Sequence, residues 1–432
     1  MHRRIVVALG IATLAILPTP PVAAQDLGAA LRALDYGQDD AARSALRAQA
    51  AEASFWLAVT QRGAERKASA ERAASLATDD QAWIRSAATG LAAQADGKLA
   101  DAVADVREAA SRSPRDARLW KVLGDLQLEQ GDGAGAKSSY EQAVALQPAY
   151  PTANEALGDL ARRAGDFGPA FNAYNHALDA DNQPTSALVG RATARLYMGD
   201  GQGALADLQL AATEAPPGAD RSRALMGIVL AQTYLGRLPQ GLERAEQAMR
   251  MWQELGRADM QAATANATGR LLLETGDPTT GASWYERGWQ AIEGSDLPAD
   301  QRIIWHVREL HGLARAAAQG KDLAKARQYA QQATDLMASD PANAEHYAWI
   351  GPYLEGYLLL AERRYDEAVT ELHKSDLDRP FIRYLLGEAY FRARDRTSAH
   401  EWYQKALDAS TGLDTESVLV RPLATAWLTK YR

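Results

Sequence analysis

The sequence predicts an all-α protein, a solenoid of stacked antiparallel helix pairs, and three observations lead there. Small and large residues recur in fixed columns every 34 positions. Alanine and leucine, both strong helix formers, are abundant, and no stretch alternates polar with β-branched residues long enough to make a strand. The chain runs to 432 residues, more than one compact core uses, and 47% of them are hydrophobic, so it is not disordered throughout.

The chain opens MHRRIVVALGIATLAILPTPPVAAQD. Arg3 and Arg4 give a positive start, and residues 5–17 form an apolar run too short to span a bilayer comfortably. Pro18, Pro20 and Pro21 end it, and Val22-Ala23-Ala24 offers small residues to a peptidase. This predicts a secretory signal over residues 1–24, cleaved after Ala24, and hence a periplasmic or secreted protein. Cysteine is absent, so neither a disulfide nor a lipid-bearing thiol is expected and stability must come from packing. Loss of Arg3 and Arg4 takes the formal charge from −8 to −10. Such an acidic balance makes nucleic acid and anionic lipid poor partners. No later segment reads as membrane-spanning.

Residues 25–81 read as degenerate helical repeats, marked by Gly37 with Ala42 and by Gly63 with Ala68. Residues 82–217 hold four regular units. Gly90, Gly124 and Gly158 are spaced by 34 and Ala192 continues them. Gly97, Gly131, Gly165 and Gly199 keep the same step, as do Ala102, Ala136, Ala170 and Ala204, and Ala109, Ala143, Ala177 and Ala211. Val106, Tyr140, Tyr174 and Leu208 stand between the alanine columns. Pro114, Pro148 and Pro216 close units, with Asn182 in the remaining slot. Each column has a physical reason. A small residue in the first helix lets the second approach. The next glycine ends that helix, because it tolerates left-handed backbone angles. The alanines permit close packing, and the large residue between them fills the space left. Neither helix can bury its apolar face alone, so the units must stack.

After the break Ala215-Pro216-Pro217-Gly218 the repeats lengthen and lose regularity over residues 218–416. Gly236 and Gly276 are 40 apart, Gly320 goes with Ala326 and Ala330, and Gly356, Ala368 and Leu372 are echoed 31 residues later by Gly387, Ala399 and Tyr403. Residues 417–432 are expected to form a capping helix, which a solenoid end requires.

These columns resemble the tetratricopeptide repeat, whose pattern is W-x2-L-G-x2-Y, then A-x3-F, an alanine and a proline in about 34 residues. One unit carries Trp120, Leu123, Gly124, Gly131, Ala136, Tyr140, Ala143 and Pro148, with Gln127 in the Tyr column. The next carries Leu157, Gly158, Gly165, Ala170, Tyr174 and Ala177, with Asn154 for the tryptophan. The resemblance implies a right-handed superhelix whose first helices line a concave groove that holds extended peptides or partner helices. The family's register places Lys121, Asp125, Leu128 and Glu129 on that surface, then Glu155, Asp159, Arg162 and Arg163, then Val189, Thr193, Leu196 and Tyr197. Lys121 matches the lysine of the family's carboxylate clamp. Asp125 replaces its asparagine and would repel a peptide C-terminus, so that specificity is not expected. A second candidate is an aromatic stripe, Trp349, Tyr353 and Tyr357, which helical spacing puts on one face.

No catalytic, metal or cofactor site is expected. The repeats leave no stretch of domain size for a catalytic module, and the motifs G-x-S-x-G, S-x-x-K and H-E-x-x-H are absent. His306 and His311 are five apart, about 140° around a helix, where a metal pair prefers four. "GDGAGAKS", residues 131–138, comes within one residue of a phosphate-binding loop. Its glycine and alanine belong to the repeat columns, however, so the stretch reads as a turn between helices. The expected function is an exported scaffold for a protein or peptide partner, in envelope assembly, secretion or polysaccharide export. Direct polysaccharide binding through the aromatic stripe is the alternative.

Overall fold

The computed structural model describes residues 35, 37, 51–77, 79–179 and 184–431. The expected signal over residues 1–24, Ala42 and Asn182 lie outside the described residues. Among the described residues every regular element is helical, with 22 α-helices and no strand, and consecutive helices pack as antiparallel pairs. The chain divides into two compact units, one ending at Leu146 and the other beginning at Gln147. That division falls inside the run of regular repeats.

In the first unit six α-helices are described: α1 (Ala51–Thr60), α2 (Gly63–Leu76), α3 (Ala82–Ala95), α4 (Leu99–Arg112), α5 (Ala117–Gln130) and α6 (Gly133–Leu146). The turn between α5 and α6 shows how the sequence builds a repeat. Asp116 caps α5 by accepting from the Arg118 amide at 2.9 Å. Gly131 ends it at φ +89°, which lets the Asp132 amide reach back to the Gln127 carbonyl at 2.8 Å. The Asp132 side chain then accepts from the Gly135 amide at 2.8 Å and starts α6. All of "GDGAGAKS" is used up in stopping one helix and starting another. Its small residues serve packing, since Ala136 and Ala143 are fully buried and a Cβ on Gly124 would stand 2.5 Å from the Tyr140 ring. The degenerate pair differs from expectation in one respect. Ala68 is exposed, and α2 packs through Ala70 and Ala73 instead.

The second unit starts with α7 (Pro151–Arg163), α8 (Phe167–Leu178), α9 (Thr185–Tyr197) and α10 (Gly201–Glu214), the last two regular repeats. Here the joint between repeats is a tyrosine held by two glycines. The Tyr174 ring, fully buried, lies against Gly158 of its own repeat and Gly190 of the next. Longer helices follow: α11 (Ala219–Tyr234), α12 (Leu238–Glu254), α13 (Ala258–Glu274), α14 (Pro278–Glu293), α15 (Ala299–Gln319) and α16 (Leu323–Ala338). They run 16 to 21 residues against 12 to 14 in the regular repeats, which is why the period lengthens. The short α17 (Ala344–Tyr347) leads to α18 (Ile350–Ala361), α19 (Tyr365–Leu372), α20 (Pro380–Arg392), α21 (Arg396–Ala409) and α22 (Thr415–Lys430).

Two features of this region differ from the regular repeats. The turn after α15 is made by Lys321, φ +66°, and not by Gly320, which keeps ordinary helical angles; Arg363 and Arg394 take the left-handed position in the next turns. The terminal helix begins at Thr415 and does more than cap. Besides packing on α20 and α21, it touches α11 and α13. Val418 and Leu419 enter the core made by Val229, Leu230, Leu271 and Leu272.

Candidate functional site

The expected groove residues fall in both units. In the first, Lys121 and Asp125 pair one helical turn apart at 2.7 Å, Asp125 also accepts from the Tyr140 hydroxyl at 2.9 Å, and Glu129 accepts from the Gln94 side chain. Asp125 and Glu129 thus tie helices of the array to one another.

In the second unit, Glu155 is half-buried and Arg163 is exposed beside a hollow that Asp378 and Asp414 share. Arg162, itself held by Asp159, and Tyr197 converge on one segment of the same chain. Tyr174 donates to Asp159 at 2.6 Å, and Arg162 bonds Asp159 at 3.3 Å. Arg162 also donates to the Thr411 carbonyl at 3.2 Å, and the Tyr197 hydroxyl donates to the Gly412 carbonyl at 2.5 Å. Arg421 lies over the rings of Tyr197 and Phe167, 4.7 Å from each centroid. Residues 411–421 therefore cover this stretch of α7 and α9, and their backbone carbonyls take the donors that sequence reasoning offered to a partner.

Next to that segment stands Glu416. It accepts from Arg270 at 3.0 Å, from the Phe381 amide at 3.2 Å and from Arg379. Burial would raise its carboxyl, but Arg270 and Arg379 outweigh that and hold it below the usual range. Beyond Glu416 a cavity of about 330 Å³ opens between α13, α15 and α18. Arg315 sits in its wall, 2% exposed, bonded to Glu274 at 3.1 Å, to the Tyr285 hydroxyl at 2.7 Å and to the Tyr353 hydroxyl at 3.3 Å. Arg308, His311 and Trp305 complete the α15 side.

Of the aromatic stripe, Tyr353 and Tyr357 are buried and Trp349 is half-buried; Trp349 and Tyr353 stack at 5.9 Å. Tyr357 accepts from Gln319 at 2.8 Å. The stripe is a seam between helices, with only the Trp349–Tyr353 end reaching the cavity. His306 stacks on Trp289 at 4.2 Å while His311 turns to the cavity, so their step of five parts them.

The arginines were missed by sequence reasoning because Arg270, Arg308, Arg315 and Arg379 come from three irregular repeats. One signal was present. Arg308, His311 and Arg315 are three and four apart and share one face of α15.

An all-helical array locked by glycine, alanine and tyrosine columns is a helical-repeat interaction scaffold. Residues 88–137, 122–187 and 353–414 match the tetratricopeptide repeat family, and the chain is a tetratricopeptide repeat protein. Cellulose synthase operon protein C of Escherichia coli is 27% identical over 122 residues, 25% of this chain and 10% of that protein. The putative cellulose synthase operon protein C of Escherichia coli O157:H7 aligns equally. This chain thus spans about a tenth of the length of the curated relatives it matches. Among solved structures, a tetratricopeptide repeat protein from Parabacteroides merdae is similar at 17% identity, covering 72% of this chain and 99% of that one, TM-score 0.43. PilF of Pseudomonas aeruginosa is similar at 21% identity, covering 52% and 93%, TM-score 0.38.

Proposed function

We infer that this protein is exported to the bacterial periplasm and there holds a protein or peptide partner on its repeat surfaces, in envelope assembly, secretion or polysaccharide export. It acts by shape and charge complementarity, without covalent chemistry. The observation that carries the reading is the repeat array itself, because stacked helix pairs present an extended surface whose side chains are ordered by the packing behind them. The signal-like N-terminus supports export. The partial likeness to cellulose synthase operon protein C supports polysaccharide export among the three settings. Burial of Tyr353 and Tyr357 speaks against direct sugar stacking on the aromatic stripe.

Crosslinking in intact cells with a photoreactive residue at Glu155 or Arg163, followed by mass spectrometry, tests the partner reading. A reproducible envelope protein is expected, and recovery of none from either position would refute it. Cell fractionation tests the location. The protein is expected in the periplasmic fraction with Gln25 as its first residue, and full-length protein in the cytoplasm would refute export.

A further inference from the structure

The cavity beyond Glu416 is lined by four arginines and no carboxylate. Arg270 and Arg379 share Glu416, and Arg315 is matched by Glu274. Two carboxylates thus answer four guanidinium groups. Among the described residues no carboxylate pairs with Arg308. Its guanidinium lies over the Trp305 ring at 4.7 Å, as that of Arg379 lies over Trp349 at 4.3 Å. A guanidinium over an aromatic ring still has N–H groups for another partner, and such donors match a planar or tetrahedral oxyanion; Arg379 gives only one of its groups to Glu416.

Two further donors are unspent. Nε of Arg270 is buried without a partner, and so is Nε2 of His311, a residue only 9% exposed. Burial, then the neighbouring Arg315, Arg270 and Arg379, keep the His311 ring well below its usual pKa. It therefore stands neutral, able to donate from one nitrogen without adding charge. Glu416 displays the chemistry that this wall selects, a carboxylate held by two arginines and an amide. The rest of the lining mixes aromatic rings, Tyr285 and Tyr353 beside the two tryptophans, with the small or aliphatic Ala263, Ala267 and Ile350 and the polar Asn266 and Thr415. The volume, about 330 Å³, lies at the small end of ligand sites.

We propose that this cavity is a binding site for a small organic oxyanion, a carboxylate or phosphate carried on a flat, partly apolar body, with Arg308 and Arg379 gripping the anion at the mouth. The site lies wholly in the second unit and is independent of the partner reading above.

Phenyl phosphate and benzoate serve as probes, phenol as the neutral control and inorganic phosphate as the bodiless one, all at constant ionic strength with the full chain. Binding is read by calorimetry and by tryptophan fluorescence. Both ring-bearing anions are expected to bind, more tightly than inorganic phosphate, while phenol does not. Arg308→Gln removes an exposed guanidinium with no ion pair, so the melting temperature is expected to hold while affinity falls about tenfold or more. Arg308→Lys, which keeps the charge and loses the fork, is expected to fall between. Trp305→Phe is expected to reduce the fluorescence change while binding by calorimetry persists. The proposal is overturned if neither ring-bearing anion binds, if phenol binds as well as they do, or if Arg308→Gln binds like the wild type.

Discussion

Replacing Gly190 by alanine tests the glycine–tyrosine joint directly. Gly190 is helical, so alanine there would ordinarily stabilise by about 0.5–1 kcal/mol through lower backbone entropy. The joint opposes this. A Cβ at position 190 would lie 2.4 Å from both Cε1 and Cζ of Tyr174, where carbon atoms rest about 3.5–4 Å apart. The ring would have to move by more than an ångström. Gly158 blocks it on the other side, since a Cβ there would already be 2.7 Å away, and the hydroxyl is tethered to Asp159 at 2.6 Å. Overpacking of this kind costs about 1–3 kcal/mol, so the net expectation is a loss of about 1–2 kcal/mol. Urea unfolding followed by circular dichroism would show it as a lower midpoint at unchanged slope. Gly168→Ala is the control, because nothing lies within 4 Å of its Cβ, and it is expected to be neutral or slightly stabilising. Combining Gly190→Ala with Tyr174→Leu is expected to remove the cost. The reasoning fails if Gly190→Ala alone is as stable as the wild type, or if its cost persists in the Tyr174→Leu background.

Three other perturbations probe different parts of the second unit. Glu416→Ala leaves Arg270 and Arg379 facing each other without a carboxylate, and the loss is expected to be about 3–5 kcal/mol by urea titration. Burial, aided by Glu286 and Glu293, pushes the Glu309 carboxyl from 4.5 up to about 7. A raised acid costs the fold stability as pH climbs through that window, so Glu309→Gln should match the wild type below pH 4.5 and exceed it above pH 7 by at most about 3 kcal/mol, which paired unfolding curves at the two extremes would measure. His306, 3.6 Å away, is itself held below its usual pKa by burial, so it offers little compensation at the upper end. Finally, Tyr353→Ala should cost about 3–5 kcal/mol as a core truncation, with Trp349→Ala milder; melting curves that stay put while polysaccharide binding vanishes would restore the sugar-stacking reading.

Spacing made the regular repeats readable. A column such as Gly158 with Tyr174 encodes a contact between residues a fixed distance apart, so periodicity alone exposes it. The same logic found Gly356 with Leu372, where a Cβ would meet the leucine at 2.5 Å, and Gly387 with Tyr403. It gives no signal at the turn after α15, where Lys321 takes a conformation that usually asks for glycine. The register puts Arg162 and Tyr197 on a surface offered to a partner, whereas Thr193 and Leu196 of the same set are buried. The partners of Arg162 and Tyr197 were not legible, since Thr411 and Gly412 lie more than 200 residues away and no period links them. The arginine cavity was hidden for the same reason: Glu416 meets Arg270 across 146 residues.

That return of the chain changes how the second unit must fold. A repeat array with neighbour contacts alone can assemble one unit at a time, and its stability is close to a sum over units. Here Thr411, Gly412 and Glu416 bind helices made long before them, which raises the contact order and ties early repeats to late ones. During synthesis α7, α9 and α13 wait for residues 411–419 before their inner faces are complete. The second unit therefore gains its final stability in one late closing step, and damage to the closing segment reaches repeats that share no neighbour with it.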